Sequence, residues 1–297
     1  MNDAHAGYLE STQAWTSTAG AGPTLRGRRA DGPGALLHFL HGNGFCGGVY
    51  WPFLRELRRD YGVFCHDFEA HGASDAPARF SGPRALVSRI PQVMNDQGLG
   101  DHQNLIGIGH SYGAALTLRV AAAHPQRFRA LVMLDPITMP TPIWLGVKLA
   151  SALRRNTIAQ SARRRRDRWA SRREVLERLR GRGIYAGWTE EALACFVDHA
   201  TRDDTDGSRI LCCPKSIEAE IFEQPVYPWQ AYRRITVPTL YLYGRRSYPF
   251  IPWAARLAQG ANPRIEVQVL DGGHCFMQET PEAAADAVRG FLQRHGC

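Results

Sequence analysis

Apolar residues form two alternating patterns along the chain. Short continuous apolar runs are typical of strands buried on both faces of a parallel sheet. Such runs lie at residues 35–40, 62–67, 104–108, 130–134, 239–243 and 265–270, and residues 8–30 are compatible with a short edge hairpin. Helical spacing follows most of the runs, at residues 52–59, 83–97, 114–123 and from Thr280 onward. The alternation predicts an α/β fold with a mostly parallel sheet flanked by helices.

The alternation stops between residues 137 and 234. No convincing strand pattern occurs there, and three helical patterns lie near residues 142–154, 172–180 and 190–200. Ser171 and Glu174 form a capping-box pattern before the second of these, and Thr189 is a suitable N-cap for the third. We therefore expect a core formed by residues 1–136 and 235–297, into which residues 137–234 are inserted as a helical cap.

The composition is that of an ordinary globular protein. The 297 residues are 44% hydrophobic and 22% charged, which favours one large domain or a domain with an insertion. The first residues lack the basic and apolar run of a signal peptide, and no apolar stretch is long enough to cross a membrane. The seven cysteines are scattered without metal-ligand spacing. We expect reduced thiols, a cytoplasmic location and no bound metal.

The segment Gly109-His110-Ser111-Tyr112-Gly113 lies between a predicted strand and a predicted helix. A Gly-x-Ser-x-Gly sequence in this context predicts a nucleophile elbow, which is a sharp turn that lifts the serine above the sheet. The two glycines leave room for a strained turn and for close packing. Ser111 is therefore the candidate nucleophile.

Four motifs occur in the order in which the α/β-hydrolase superfamily carries them. They are His41-Gly42-Asn43, Asp67 with His71-Gly72-Ala73-Ser74, Gly109-His110-Ser111-Tyr112-Gly113, and Gly272-Gly273-His274. The chain resembles the serine-hydrolase branch of this superfamily that has a helical cap, over residues 35–136 and 235–294. The resemblance implies an esterase-like or lipase-like enzyme with the α/β-hydrolase fold, and it does not identify a substrate.

His274 is the candidate base that accepts the proton of the serine hydroxyl. It follows a predicted strand and a flexible Asp271-Gly272-Gly273 turn, which places it on a loop at the carboxyl edge of the sheet. Its position after Ser111 matches the chain order of this fold.

The oxyanion of a tetrahedral intermediate needs preorganised N–H donors. The residue after the nucleophile supplies one of them, which here is the backbone N–H of Tyr112. The resemblance implies that Asn43 supplies the other, with Gly44 as the alternative.

The acid of the triad is less obvious. Many relatives carry it after the strand at residues 239–243, but this chain has Arg245-Arg246-Ser247-Tyr248-Pro249 there and no carboxylate. Asp135 ends the strand that follows the elbow helix, so it should emerge at the same sheet edge as Ser111. The resemblance permits an acid at this position. We therefore expect Asp135 to be the acid, and an anchor of the cap hinge is its alternative role.

Arginine dominates residues 154–182, where the carboxylates are Asp167, Glu174 and Glu177, and the net charge of the chain is +8. We expect a solvated helix face. The alternatives are contacts with an anionic substrate, a membrane surface or nucleic acid. The densest part of the arginine run is Arg163-Arg164-Arg165-Arg166. Nucleic acid has little support, because Trp169 is the one aromatic residue within the run.

An apolar stretch precedes the arginines and contains Ile143, Trp144, Leu145, Val147, Leu149 and Leu153. Contact with a lipid surface would suit it, but we expect it to form the cap face over the active site. A second apolar set would suit either an acyl pocket or core packing; it comprises Trp188, Phe196, Ile217, Ile221 and Phe222.

These residues predict hydrolysis of a carboxylic ester through a covalent acyl-serine. The expected substrate is a small molecule with an apolar acyl part, and no metal or organic cofactor is expected. A nucleophilic aspartate is absent from the elbow, which argues against epoxide and haloalkane hydrolysis. Cleavage of a thioester or a carbon–carbon bond by the same residues is the enzymatic alternative. The other alternative is a hydrolase-fold binding module that holds an anionic partner with its arginine-rich cap.

Overall fold

A computed structural model describes residues 3–100 and 104–297. Its strands are β1 (Gln13–Ser17), β2 (Leu25–Ala30), β3 (Leu36–Leu40), β4 (Gly62–Asp67), β5 (Leu105–His110), β6 (Ala130–Leu134), β7 (Arg168–Trp169), β8 (Thr201–Asp203), β9 (Arg209–Leu211), β10 (Thr239–Gly244) and β11 (Ile265–Leu270). Eight strands form one sheet in the order β1-β2-β4-β3-β5-β6-β10-β11. The β1–β2 and β2–β4 pairs are antiparallel, and all other pairs in this sheet are parallel. The predicted mostly parallel sheet is confirmed.

Helices cover both faces of this sheet. They are α1 (Asp3–Glu10), α2 (Trp51–Leu57), α3 (Pro83–Asp96), α4 (Tyr112–Ala123), α5 (Thr141–Ala152), α6 (Thr157–Arg164), α7 (Arg172–Leu179), α8 (Glu190–His199), α9 (Lys215–Glu223), α10 (Trp229–Arg234), α11 (Ile251–Ala261), α12 (Phe276–Glu279) and α13 (Pro281–Arg294). Side chains of α2, α8 and α13 share one hydrophobic core, and those of α3, α4, α10 and α11 share the other. None of the helices described is long and apolar enough to span a bilayer.

Each inner strand contributes to both cores, because successive side chains of a strand point to opposite faces. In β3, Leu37 and Phe39 belong to the core that contains α2 and α13, whereas Leu36 and Leu40 belong to the core that contains α3 and α4. Burial on both faces explains why these strands are continuous apolar runs in the sequence.

The predicted edge hairpin is formed by β1 and β2, in which Gln13 lies opposite Arg29. The sequence patterns did not predict α11, which joins the parallel strands β10 and β11. A parallel pair needs a crossover connection of this kind, and four residues of α11 are buried against the sheet. The connection therefore follows from the sheet topology.

The chain between β6 and β10 contains α5 to α10 and a small antiparallel sheet in the order β7-β9-β8. The expectation that this part contains no strand is wrong. Its strands have only two or three residues each, which is too short for an alternating pattern to be visible. These short strands form because β9 pairs with β7 on one side and with β8 on the other.

Candidate active site

Ser111 lies at the turn between β5 and α4. Its backbone has φ 55° and ψ −115°, a left-handed conformation that non-glycine residues rarely adopt. A Cβ atom at Gly113 would collide with the backbone carbonyls of Leu40 and His41 on the neighbouring strand end. A Cβ at Gly109 would lie 2.7 Å from the backbone nitrogen of Ala114. The two glycines therefore let the elbow pack directly against the sheet.

Ser111, His274 and Asp135 are joined by hydrogen bonds. His274 Nε2 lies 3.0 Å from Ser111 Oγ, and His274 Nδ1 lies 3.0 Å from Asp135 Oδ1. Strand β6 lies between β5 and β10 in the sheet, so Asp135 at the end of β6 emerges between the elbow and the loop after β10. The structure thus brings together the three residues that the sequence singled out for a triad.

The surroundings of Asp135 determine where the proton of His274 resides. The carboxylate of Asp135 also accepts hydrogen bonds from the Gly244 N–H at 2.8 Å and from Ser247 Oγ at 2.6 Å. An ionised carboxylate can only accept, so Nδ1 of His274 carries the proton and Nε2 is free to accept from the Ser111 hydroxyl. The loop after β10 lacks a carboxylate. Gly244 at the end of β10 and Ser247 in that loop instead donate to the Asp135 carboxylate, which follows β6.

The candidate oxyanion donors differ in whether their backbone N–H groups already donate a hydrogen bond within the protein. The Gly42 N–H donates to Tyr50 Oη at 3.1 Å, and the Gly44 N–H donates to His71 Nε2 at 3.0 Å. Within the described chain, the N–H groups of Asn43 and Tyr112 have no acceptor. That of Tyr112 is in the first turn of α4, where helical N–H groups lack an intrahelical partner. Asn43 and Tyr112 therefore keep their donors available, and the alternative donor Gly44 does not.

A chain of hydrogen bonds links the loop after β3 to the loop that carries His274. Tyr50 Oη lies 2.7 Å from His110 Nδ1, and His110 Nε2 lies 2.9 Å from the carbonyl oxygen of His274. Because that carbonyl can only accept, Nε2 of His110 is the protonated nitrogen and Tyr50 donates to Nδ1. Burial lowers the pKa of His110 well below its usual value. No sequence pattern pointed to Tyr50, whose role depends on contacts between distant segments.

Glu218 on α9 contacts the same loop after β3. Its backbone oxygen accepts a hydrogen bond from Asn43 Nδ2 at 2.9 Å. Its carboxylate faces Gly44 and forms an ion pair with Arg165, whose Nη1 donates to Oε1 at 2.7 Å and to Oε2 at 2.9 Å. Arg165 Nη2 also lies 3.2 Å from Tyr185 Oη. One arginine of the basic run is thus part of a half-buried network beside Asn43, which the sequence did not indicate.

Most of the other arginines in residues 154–182 pair with carboxylates. The pairs are Arg163–Glu223, Arg166–Glu174, Arg168–Asp204, Arg172–Asp198, Arg173–Glu177, Arg178–Glu174 and Arg180–Glu190. Several of the carboxylates come from outside the run, so the sequence made the region look more basic than it is. This arrangement fits the expected charged and solvated face better than a continuous anion-binding surface.

The five residues considered for an acyl pocket are divided among three hydrophobic clusters. Trp188 and Phe196 pack with Phe45, and Ile217 and Ile221 belong to the core that contains α3 and α4. Phe222 lines a cavity of about 740 Å³ between α6, α7 and α9. The lining of that cavity includes no member of the triad.

All seven cysteines are free thiols. Cys46 and Cys275, which flank the site motifs, are buried, and burial raises the pKa of both thiols well above the usual value. A raised pKa keeps a thiol protonated and unreactive. Within the residues described, no group of three or more metal-ligating side chains could hold a metal ion.

Comparison with known proteins identifies the family. Residues 39–287 match the alpha/beta hydrolase family, and the chain belongs to it. This is a superfamily of hydrolytic enzymes. The 2-(acetamidomethylene)succinate hydrolase of Mesorhizobium japonicum is 24% identical over 267 residues, which cover 89% of this chain and 90% of the relative. The monoglyceride lipase of Rattus norvegicus is 31% identical over 121 residues, or 37% of either chain.

Solved structures show the same fold. The crystal structure of E-2-(acetamidomethylene)succinate hydrolase superposes with a TM-score of 0.77 at 21% sequence identity. The superposition covers 95% of this chain and 99% of that chain. The predicted α/β-hydrolase fold is therefore confirmed.

Proposed function

We propose that this protein is a serine hydrolase that cleaves a carboxylic ester through an acyl-Ser111 intermediate. The observation that carries the proposal is the hydrogen-bonded series Ser111–His274–Asp135 at a strained strand-to-helix elbow. A serine needs an oriented base to become a nucleophile, and the base needs a third group to orient it. The family relationship supports hydrolysis as the reaction class.

In the first half of the reaction, Ser111 Oγ attacks the ester carbonyl carbon while His274 Nε2 takes the hydroxyl proton. Asp135 stabilises the resulting imidazolium without taking its proton. The N–H groups of Asn43 and Tyr112 bind the oxyanion. The bond between the carbonyl carbon and the alcohol oxygen then breaks, and His274 gives its proton to the leaving alcohol.

In the second half, a water molecule attacks the acyl carbon and His274 takes a proton from it. The bond to Ser111 Oγ breaks, the proton returns to that oxygen, and the carboxylic acid leaves. The enzyme is restored without a cofactor, since the three side chains and two N–H groups supply every proton transfer and every oxyanion contact.

Residues 137–234 are the proposed cap over a core of residues 1–136 and 235–297. The contact of Glu218 with Asn43 supports this division, because it joins the inserted segment to the loop beside Ser111. The proposed substrate is a small-molecule ester with an apolar acyl part. The partial likeness to a monoglyceride lipase supports an ester as the substrate class.

The replacement Ser111→Ala tests the proposal directly. We expect wild type to be labelled by a fluorophosphonate probe at Ser111 and to hydrolyse p-nitrophenyl esters. The variant should lose labelling and about 10⁴-fold or more of kcat. The matched control is Ser88→Ala at an exposed serine on α3, which should behave as wild type. Labelling at another residue, or turnover retained by the Ser111→Ala variant, would rule out the acyl-Ser111 mechanism.

The same assays separate the alternatives. A thioester or a diketone that is cleaved with a higher kcat/KM than every ester in the panel would replace the ester as substrate class while keeping Ser111 as nucleophile. Absence of both labelling and turnover in folded wild type would favour a binding module.

A further inference from the structure

Helix α5 (Thr141–Ala152) contains no buried residue. Leu145, Leu149 and Leu153 are 55%, 62% and 56% exposed, and Ile158 at the start of α6 is 52% exposed. The three leucines are spaced by four residues, so they lie on one side of the helix. We name these four residues the leucine stripe. The expectation that this stretch is buried as the cap face over the active site is wrong for Leu145, Leu149 and Leu153.

Other residues of α5 and of its junction with α6 anchor the leucine stripe to the rest of the protein. Trp144 Nε1 donates a hydrogen bond to the Pro225 carbonyl at 3.0 Å. At the junction of α5 and α6, the buried Asn156 donates from Nδ2 to Ser151 Oγ and to the Phe222 carbonyl, each at 3.0 Å. The stripe is therefore presented by an anchored pair of helices.

The surroundings of the leucine stripe are basic. Residues 137–166 contain no aspartate or glutamate. Three arginines of this segment, Arg163, Arg165 and Arg166, pair with carboxylates from other segments. The remaining cations have no carboxylate within 4.0 Å in the described chain; they are Lys148, Arg154, Arg155 and Arg164. Lys148 on α5, Arg164 on α6, and Arg154 and Arg155 on the connection between the two helices are thus unneutralised cations in the segment that carries the exposed leucines.

We propose that the leucine stripe docks on a lipid bilayer that contains anionic lipids. An amphipathic helix with leucines on one face and basic residues beside them binds in the interfacial plane, where the apolar side chains enter the acyl boundary and the cations meet the headgroups. A second copy of the chain is a poor occupant, because it would place the same unneutralised cations against each other. An anionic bilayer offers acyl chains to the exposed leucines and anionic headgroups to the unneutralised cations.

Docking would bring the triad end of the sheet towards the bilayer. Helix α5 begins shortly after Asp135, and the intervening Ile137 N–H donates a hydrogen bond to the Ser111 carbonyl at 3.3 Å. The helix that carries the stripe thus leaves the sheet at the edge where Ser111 lies. The binding itself does not depend on catalysis by Ser111, so the two proposals fail separately.

Vesicle co-sedimentation tests the inference with the full chain. We expect wild type and Ser111→Ala to bind vesicles of phosphatidylcholine with about 30 mol% phosphatidylglycerol, a composition chosen to give a clearly anionic surface, and to bind pure phosphatidylcholine weakly. The triple variant Leu145→Ser/Leu149→Ser/Leu153→Ser should bind at least about tenfold more weakly. Arg154→Gln/Arg155→Gln should also lose about tenfold or more, since each basic residue contributes about fivefold to partitioning.

The matched control is Arg84→Gln/Arg202→Gln, which removes two exposed arginines from α3 and β8 and should bind as wild type. Equal loss in this control would show that net charge alone drives binding and would overturn the docking surface. Undiminished binding by the triple leucine variant, or no binding by wild type, would overturn it as well. Sedimentation velocity adds one further outcome: a wild-type dimer that the triple variant converts to a monomer would assign the stripe to a second copy. All variants should keep the wild-type Tm, because the replaced side chains are exposed.

Discussion

At the residue scale, two members of the proposed triad occupy strained backbone conformations. Ser111 has φ 55° and Asp135 has φ 43°, and each such residue costs about 1–3 kcal/mol. Backbone hydrogen bonds between neighbouring strand ends hold them. The Ser111 N–H donates to the Leu134 carbonyl at 2.9 Å, and the Asp135 N–H donates to the Leu242 carbonyl at 2.7 Å. The side-chain geometry therefore depends on the sheet, because local backbone preference alone would not maintain it.

The replacement Asp135→Asn should lower kcat by about 10³–10⁴-fold with the fold intact. The amide has nearly the same shape, but its NH₂ group can face His274 and favour the tautomer with the proton on Nε2. That tautomer cannot accept the Ser111 proton. Ester turnover, with circular dichroism as the check of folding, measures the effect. A folded variant within about tenfold of wild type would remove Asp135 from the triad.

Ser247→Ala is the matched control for this prediction. It removes one hydrogen bond to the same carboxylate and leaves the charge and the Gly244 N–H contact in place. We expect kcat to fall by about tenfold to a hundredfold, less than in Asp135→Asn, because one hydrogen bond to a charged group contributes about 1.5–3 kcal/mol. An effect as large as that of Asp135→Asn would mean that the position of the carboxylate matters more than its charge.

At the element scale, an ion pair within residues 137–234 lies against the loop after β3. Arg165 follows α6, Glu218 belongs to α9, and the half-buried pair they form lies against the loop that carries Asn43 and Gly44. Burial raises the pKa of Glu218, and the Arg165 guanidinium opposes this rise. Arg163 and Glu223 join the same two helices, but this pair is more exposed. The two ion pairs should therefore differ in what they contribute to stability.

Arg165→Met should reduce the free energy of unfolding by about 3 kcal/mol, because it leaves the buried carboxylate of Glu218 without a counter-ion. Urea unfolding at neutral pH measures the loss. Arg163→Met, the control, should cost less than about 1 kcal/mol, as exposed pairs do. The double variant Arg165→Met/Glu218→Gln should recover part of the loss. Equal effects of the two single variants would contradict the assignment of Arg165 as a buried partner.

At the scale of the whole molecule, a group of buried histidines keeps the core neutral. The group comprises His38, His41, His66, His71 and His110. Burial lowers the pKa of His38 to about 3 and that of His71 to about 4, and it lowers the pKa of the others well below the usual value. Asp67 has the opposite behaviour, since burial raises its pKa to about 7. The folded protein therefore resists protonation of its histidines.

The free energy of unfolding should fall as the pH decreases from about 6.5 to about 5. In this window the unfolded chain binds protons on histidines that stay neutral in the folded state, so acid favours unfolding. Each such histidine contributes up to about 1.4 kcal/mol per pH unit. Urea unfolding across a pH series measures the slope. Stability that is constant or rises on acidification in this window would contradict the lowered pKa values.

Asp67→Asn should make that fall steeper. With its raised pKa, Asp67 takes up a proton in the folded state below about pH 7, whereas in the unfolded chain it does so only near pH 4. It therefore adds stability on acidification and partly offsets the histidines. Removing it leaves their effect unopposed. An unchanged slope in the variant would show that the Asp67 carboxyl is ionised in the folded protein at these pH values.

The sequence by itself determined the sheet, its flanking helices and the elbow. Both faces of β3 to β6 are covered, so each of these strands is a continuous apolar run. Such a run is visible in the sequence of each strand separately, and it predicts a buried strand. The elbow is equally local, since Gly109 and Gly113 flank Ser111 within one turn. The position of His274 followed from chain order in a fold that these patterns already indicated.

The tertiary structure alone decided which groups meet. Asp135 reaches His274 because β6 lies between β5 and β10, and Ser247 joins them from the end of β10. Ion pairs neutralise most of the arginine run through carboxylates such as Glu218 that are distant in sequence. The leucines of α5 remain exposed because no other described segment covers them. Hydrophobic periodicity reports which side of an element is apolar, whereas the partner of that side depends on contacts between segments far apart along the chain.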